Sequence, residues 1–194
     1  KRDIDAPAVV IDGDGLPRWI VAGQRIAVIA RGGGRNDGCG GHALGRTVMS
    51  ALTPSQTVGP YFRIGLEWPA AWRLGEACDL TLRGRVLDGD GVPVTDALLE
   101  IWQADADGNY FTNGAHGAHG FRGFGRCAVD AAGAYRFQTI KPGAVAAPDG
   151  GRQAPHINLL VMARGLLQHL YTRVYFPDDG ALHEADSVLG CVPA

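Results

Sequence analysis

The chain has 194 residues, 46% of them hydrophobic, and a formal net charge of -2, which excludes a charge-rich disordered polymer and leaves enough length for one buried core. Its basic residues are scattered along the chain instead of forming a run or stripe, so the electrostatic footprint of a nucleic-acid binder is missing. Apolar stretches such as Trp19 to Ala22 and Ile157 to Ala163 fall well short of the ~20 residues of a bilayer span, and no charged leader with an apolar follow-on opens the chain, so no membrane partner is expected.

Residues 1–48 carry ten glycines, with a GGG run at 32–34 and a second cluster around Cys39 to Gly41, and show no sustained period. Only Trp19 to Ala30 reads as strand-like. Ordering so much glycine is entropically expensive, so 1–48 is expected to be a loose Gly-rich extension, disordered or spurious. Met49 stands directly before Ser-Ala-Leu-Thr-Pro-Ser-Gln-Thr and fits a natural start. The GGGR run lacks the Lys-Ser/Thr of a phosphate loop. The four cysteines, Cys39, Cys78, Cys127 and Cys191, are far apart with no CxxC pair, which suggests neither a zinc site nor a disulfide framework and fits a reducing, cytoplasmic setting.

From residue 77 the pattern is that of strands. Leu80, Leu82 and Val86 alternate with Thr81, Arg83 and Arg85, the period of a half-buried strand, and Asp88-Gly89-Asp90-Gly91 is a strong turn signal from which a hairpin is expected. Further runs follow at Leu98 to Trp102, Ala134 to Ile140, Ile157 to Ala163 and His169 to Phe176, with no long helical pattern between them. Short strands separated by Gly, Pro and Asp clusters predict an all-β fold, an antiparallel β-sandwich over 49–194. Asp105-Ala-Asp107-Gly108 resembles the start of a calcium loop but lacks the later ligands, and reads as a plain turn.

Two segments carry candidate chemistry. In Leu52 to Tyr61, Gly59-Pro60 permits close backbone approach to another group, with the hydroxyls of Thr57 and Tyr61 beside it. In Ala154-Pro155-His156-Ile157-Asn158, positions 156 and 158 share a strand face, so a His-x-His there would give one metal two imidazoles. Asn158 makes this the same pattern with one ligand lost, since an amide oxygen binds ferric iron far more weakly than imidazole or phenolate. Taken alone, His156 reads more readily as a hydrogen-bonded core histidine than as a ligand. His116 and His119 sit in a glycine-rich segment and read as an exposed loop.

TPSQTVGPY (53–61), LEIWQADADGNY (99–110), GAYRFQTIKPG (133–143), APHIN (154–158) and HLYTRVYF (169–176) resemble, in order and spacing, the intradiol ring-cleavage dioxygenases, over most of 52–192. In that family Fe(III) is held by two Tyr and two His. The resemblance implies that Tyr110 and His156 stand at two ligand positions, while Val145 and Asn158 stand where the second Tyr and the second His are expected. No complete catalytic or metal set is then carried by this chain.

That departure is similar to the family's two-chain members, in which an iron-free chain pairs with a homologous iron-binding beta subunit. The resemblance implies a hetero-oligomer whose Fe(III) is held by the partner and whose small-molecule partners are protocatechuate and O2, cleaved between the two hydroxyls to 3-carboxy-cis,cis-muconate. It also implies a substrate-pocket role, reaching into the partner's site, for Thr57, Gly59, Pro60, Tyr61 and Arg164, the last on the strand after APHIN. Two other readings stand beside it: a single-chain, catechol-type intradiol dioxygenase, and a non-enzymatic β-sandwich binding module. The family continues beyond the position of Cys191-Val192-Pro193, so a C-terminally shortened sandwich is expected.

Overall fold

The structure, a computed structural model, describes residues 2–6, 8–11, 17–20, 59, 62–112, 114–148 and 150–191. In chain order the elements are β1 (Arg2–Asp5), β2 (Ala8–Ile11), β3 (Pro17–Ile20), α1 (Phe62–Leu66), β4 (Leu80–Asp88), β5 (Leu98–Gln103), β6 (Phe124–Ala128), β7 (Ala134–Thr139), β8 (Val145–Ala146), β9 (Arg152–Gln153), β10 (His156–Met162), β11 (Leu170–Tyr175) and α2 (Gly180–His183). Strands dominate, as the period-2 pattern requires. No helix among the described residues is long and apolar enough to cross a membrane.

Two sheets face each other. One runs β11-β10-β5-β6, antiparallel throughout. The other is built on β4, with β7 antiparallel on one side and β1 and β2 parallel along its other edge, β3 extending β2. The inward faces supply one core: Leu80, Leu82, Val86 and Phe137 from the sheet built on β4 meet Leu99, Ile101, Ile157, Leu159 and Val161 from the β11-β10-β5-β6 sheet. Each such side chain contributes about 1.5–3 kcal/mol by leaving water, and the expected β-sandwich is what buries them together.

Three details differ from the sequence reading. The Asp88 turn forms, with Asp88 Oδ1 accepting from the Asp90 and Val92 N–H groups, but the chain returns along β4 only through Pro93 and Val94 before crossing to the other sheet. β4 therefore pairs with the distant β7 and makes no hairpin with β5. β6 had no sequence signal. And three short strands come from the segment expected to be loose: the free edge of β4 offers backbone donors and acceptors, which β1 and β2 take up in parallel register. The rest of 1–48 lies outside the described residues.

Candidate functional site

The site begins at the head of β10. His156 and Asn158 project to the same side of the strand, and both are buried, because β11 and β5 flank them: His156 is opposite Tyr175, and Asn158 lies between Arg173 on β11 and Trp102 on β5. The chain leaving β5 is folded back over this face by a tight turn. Asp105 Oδ1 accepts from the N–H groups of Asp107 and Asn109, Gly108 adopts φ +85°, and the Gly143 N–H donates to the Asp105 carbonyl at 2.7 Å. A Cβ at Gly108 would collide with the Ala144 carbonyl, so glycine is required there for the turn and for its contact with the segment leading into Val145. The turn delivers Tyr110 onto Trp102, stacked at 5.8 Å and 13°.

Tyr110, His156 and Asn158 converge in the structure. His156 Nδ1 lies 2.7 Å from the Ala154 carbonyl and so carries the proton, leaving Nε2 as an acceptor 3.4 Å from the Tyr110 hydroxyl. Burial pushes the His156 imidazole down to about 4 and pushes the Tyr110 phenol up, so both are neutral at neutral pH. The Asn158 amide makes all four of its hydrogen bonds. Its Nδ2 donates to the Trp102 carbonyl at 3.1 Å and to the Tyr110 hydroxyl at 3.4 Å. Its Oδ1 accepts from the Tyr171 hydroxyl at 2.6 Å and from Arg173 Nε at 3.1 Å.

Val145 is buried on β8, directly across from Gln153 on β9. Arg173 Nη1 donates to Gln153 Oε1 at 2.8 Å and to the Tyr175 hydroxyl at 3.4 Å. Burial works against the guanidinium charge, but the Tyr175 hydroxyl and the neighbouring Tyr171 and Asp186 outweigh it and hold Arg173 above its ordinary value. Asp186 is itself buried, with Oδ2 accepting from the Ala154 N–H and Oδ1 from the Val188 and Leu189 N–H groups. Arg173, Tyr171, Gln153 and Asp186 were not singled out from sequence. The available signal was the i, i+2 spacing of Tyr171, Arg173 and Tyr175, which puts three polar side chains on the β11 face that looks toward His156 and Asn158.

The other candidates lie elsewhere. Arg164 follows the far end of β10, 64% exposed, with Nε 2.5 Å from Asp96 Oδ2. Six residues of extended chain separate it from Asn158, about 20 Å, so it cannot touch the Tyr110–His156 cluster of its own chain. Gly59 is exposed, and among the described residues nothing comes within 4 Å of where its Cβ would be. Thr57, Pro60 and Tyr61 lie outside the described residues. His116 and His119 are exposed, as expected of a loop. A separate cleft of about 810 Å³, lined by Arg83, Arg85, Arg136, Trp72 and Cys127 among others, shares no residue with the cluster. Its guanidiniums are already engaged, Arg63 by Glu67 and the Thr95 carbonyl, Arg83 by Asp3 and Asp5, Arg85 by the Ala132 carbonyl and Arg136 by the Trp72 ring.

A β-sandwich that brings a tyrosine and a histidine together at the head of a central strand is built as the metal-dependent ring-cleaving dioxygenases are. The chain belongs to the intradiol ring-cleavage dioxygenase family: the family described as Dioxygenase matches residues 73–192. The protocatechuate 3,4-dioxygenase alpha chain of Burkholderia cepacia is 43% identical over 160 residues, covering 73% of this chain and 78% of its own. The beta chain from the same organism is 43% identical over 117 residues, 56% of this chain and 48% of its own. Among solved structures, the dioxygenase domain of a carbohydrate-binding fusion protein from Streptomyces sp. SirexAA-E aligns with a TM-score of 0.50 at 29% identity, covering 72% of this chain and 83% of that one.

The family's ferric ion does not fit the residues present. Asn158 has no free lone pair, Val145 has none at all, Tyr110 and His156 are turned toward each other, and the adjoining position holds a guanidinium. Two remaining ligands beside a fixed positive charge do not make an iron site.

Proposed function

We propose that this chain serves as the alpha-type, iron-free subunit of a protocatechuate 3,4-dioxygenase, pairing with a homologous beta chain that holds the Fe(III). The observation that carries this is the filled ligand cluster: the half-set of Tyr110 and His156 is tied into a neutral hydrogen-bond network around Asn158, with Arg173 at its edge. Similarity to both an alpha and a beta chain supports a hetero-oligomer of two related sandwiches. In the complex the partner's iron supplies the chemistry by which O2 opens protocatechuate between its hydroxyls, and this chain shapes the pocket.

Gly59 and Arg164 are the described residues that would do so. Both are exposed, which is what residues that complete a neighbouring chain's pocket require. An arginine there presents a permanent charge and a fork of donors to an anionic substrate, and the sequence Gly59-Pro60, with the hydroxyls of Thr57 and Tyr61 in the same segment, suits the close approach of a planar ring. The spaced cysteines fit a cytoplasmic location.

The test is to express the full chain alone and together with a homologous chain that retains both tyrosines and the His-x-His pair. Alone, it should hold no stoichiometric iron, show no tyrosinate-to-iron colour and consume no O2 with protocatechuate. Together, iron should track the partner and activity should require both. A coloured isolated chain with about one iron per chain would replace this reading with a single-chain enzyme.

A further inference from the structure

We propose that Arg173 is a built-in stand-in for the metal's charge: its guanidinium bars a ferric ion from this chain, so that restoring the two missing ligand side chains does not restore iron binding while Arg173 remains. The geometry is local and specific. Arg173 is the cross-strand neighbour of Asn158, one lost ligand position, and donates to its Oδ1 at 3.1 Å. Through Nη1 it holds Gln153 at 2.8 Å, and Gln153 is the cross-strand neighbour of Val145, the other lost position. One planar cation therefore ties together the neighbourhoods of both absent ligands, something a two-pronged fork achieves and a point charge does not.

The surroundings are arranged for that cation. Its hydrogen bonds among the described residues go to neutral acceptors: the Asn158 and Gln153 amide oxygens and the Tyr175 hydroxyl. The nearby carboxylate, Asp186, exerts its charge on Arg173 and Tyr175, while its oxygens accept from three backbone N–H groups and are unavailable as ligands. A ferric ion placed between positions 110, 145, 156 and 158 would lie within a few ångströms of a half-buried guanidinium that cannot lose its proton, where the two cations repel with little screening. The side chains that would bind the ion must in addition displace the hydrogen bonds that Tyr171 and Arg173 donate to position 158. Loss of ligands and gain of a cation thus close the site independently, and the second closure survives repair of the first.

This inference takes its meaning from the iron-free reading above, and metal loading separates the two. Three forms of the full chain are compared: the parent, Val145→Tyr/Asn158→His, and the same pair with Arg173→Gln, which keeps a hydrogen-bond donor but removes the charge. Each is incubated with ferric citrate and desalted, iron is measured by atomic absorption, the tyrosinate-to-iron band by visible spectroscopy, and folding by circular dichroism and thermal melting. The parent and the double variant should stay colourless. The triple variant should take up at least about tenfold more iron than the double and develop the band. A double variant that loads as well as the triple overturns the proposal, as does a folded triple variant as empty as the double. Iron in the parent overturns the subunit reading instead. Should the multiple variants unfold, Arg173→Gln and Arg173→Lys in the parent background decide: titrated with cobalt(II), the Gln variant should bind about tenfold more tightly than the parent and the Lys variant no better, and equal binding by all three overturns the proposal. A purely structural Arg173 would lower the melting temperature of both single variants without this split between Gln and Lys.

Discussion

The Tyr110 hydroxyl lies 3.4 Å from His156 Nε2, so the two side chains expected at metal-ligand positions face each other. The pairing needs a neutral imidazole, and burial supplies one by pushing His156 down to about 4 from its ordinary 6.5. The sign follows. Between those two values the unfolded chain binds a proton that the folded chain refuses, so stability is fully present above the ordinary value and is lost as pH falls toward the folded one. Urea unfolding near pH 7 and at about pH 4.5 should differ by a His156 contribution of order 2 kcal/mol, identified as the part of the acid loss that disappears in His156→Gln. The same loss in parent and variant would mean that His156 is not held neutral.

Tyr135 offers a prediction of the opposite sign. It is buried between the sheets across from Gly84, where a Cβ would meet its hydroxyl at 2.5 Å, and that hydroxyl has no hydrogen-bond partner among the described residues. Burial raises the phenol well above its ordinary value, as expected of a group kept from water. Tyr135→Phe removes an unsatisfied polar atom without opening a cavity, so it should leave stability unchanged or raise it by about 0.5–1.5 kcal/mol. A clear loss in chemical denaturation would reveal a partner for the hydroxyl and refute the prediction.

How much of this was legible in sequence depends on whether the signal is local. β4, β7 and β10 declare themselves because one face alternates or the whole strand is apolar. β6 does not: in Phe124-Gly-Arg-Cys-Ala, Gly125 is small because a Cβ there would run into Leu74, and Arg126 points outward over Trp68 to pair with Glu100, so no alternation survives. The cluster shows the same division. His156 and Asn158 are singled out by their i, i+2 spacing on one strand, and Tyr110 and Val145 by the resemblance to the family. Arg173 and Gln153 acquire meaning only through the register of β10 with β11 and of β8 with β9, a relation across strands that no linear spacing displays.

The N-terminal strands give a third prediction. β1 is mostly exposed, and the ion pairs it makes, Asp3 and Asp5 with Arg83 at 2.7 and 3.2 Å, are solvent-accessible on both sides, so each is worth ~1 kcal/mol or less. A chain starting at Met49 should therefore keep its fold, with a melting temperature lower by no more than about 5 °C. Uncovering the outer edge of β4 should show instead as concentration-dependent self-association in sedimentation velocity. A collapse of the melting transition would make residues 1–48 part of the folded unit.

The last prediction tests the proposed reach into the partner. In the complex with a beta chain, Gly59→Val adds a branched side chain at a position uncrowded by the described part of its own chain. It should raise KM or block the pocket. Arg164→Ala removes an exposed charge whose ion pair with Asp96 is worth little on its own chain, so folding and assembly should be unaffected. If Arg164 meets the substrate's carboxylate, its loss should cost about 1.5–3 kcal/mol, roughly ten- to a hundredfold in kcat/KM. Iron content and the visible spectrum of the resting complex should not change, because neither residue stands at one of the expected ligand positions. Arg164→Lys should recover only part of the loss, since an ammonium keeps the charge but not the fork. Steady-state kinetics on protocatechuate, with iron and subunit ratio measured on the same samples, decide it: unchanged kcat/KM in both variants of an intact complex would reduce this chain to a scaffold and move the pocket away from Gly59 and Arg164.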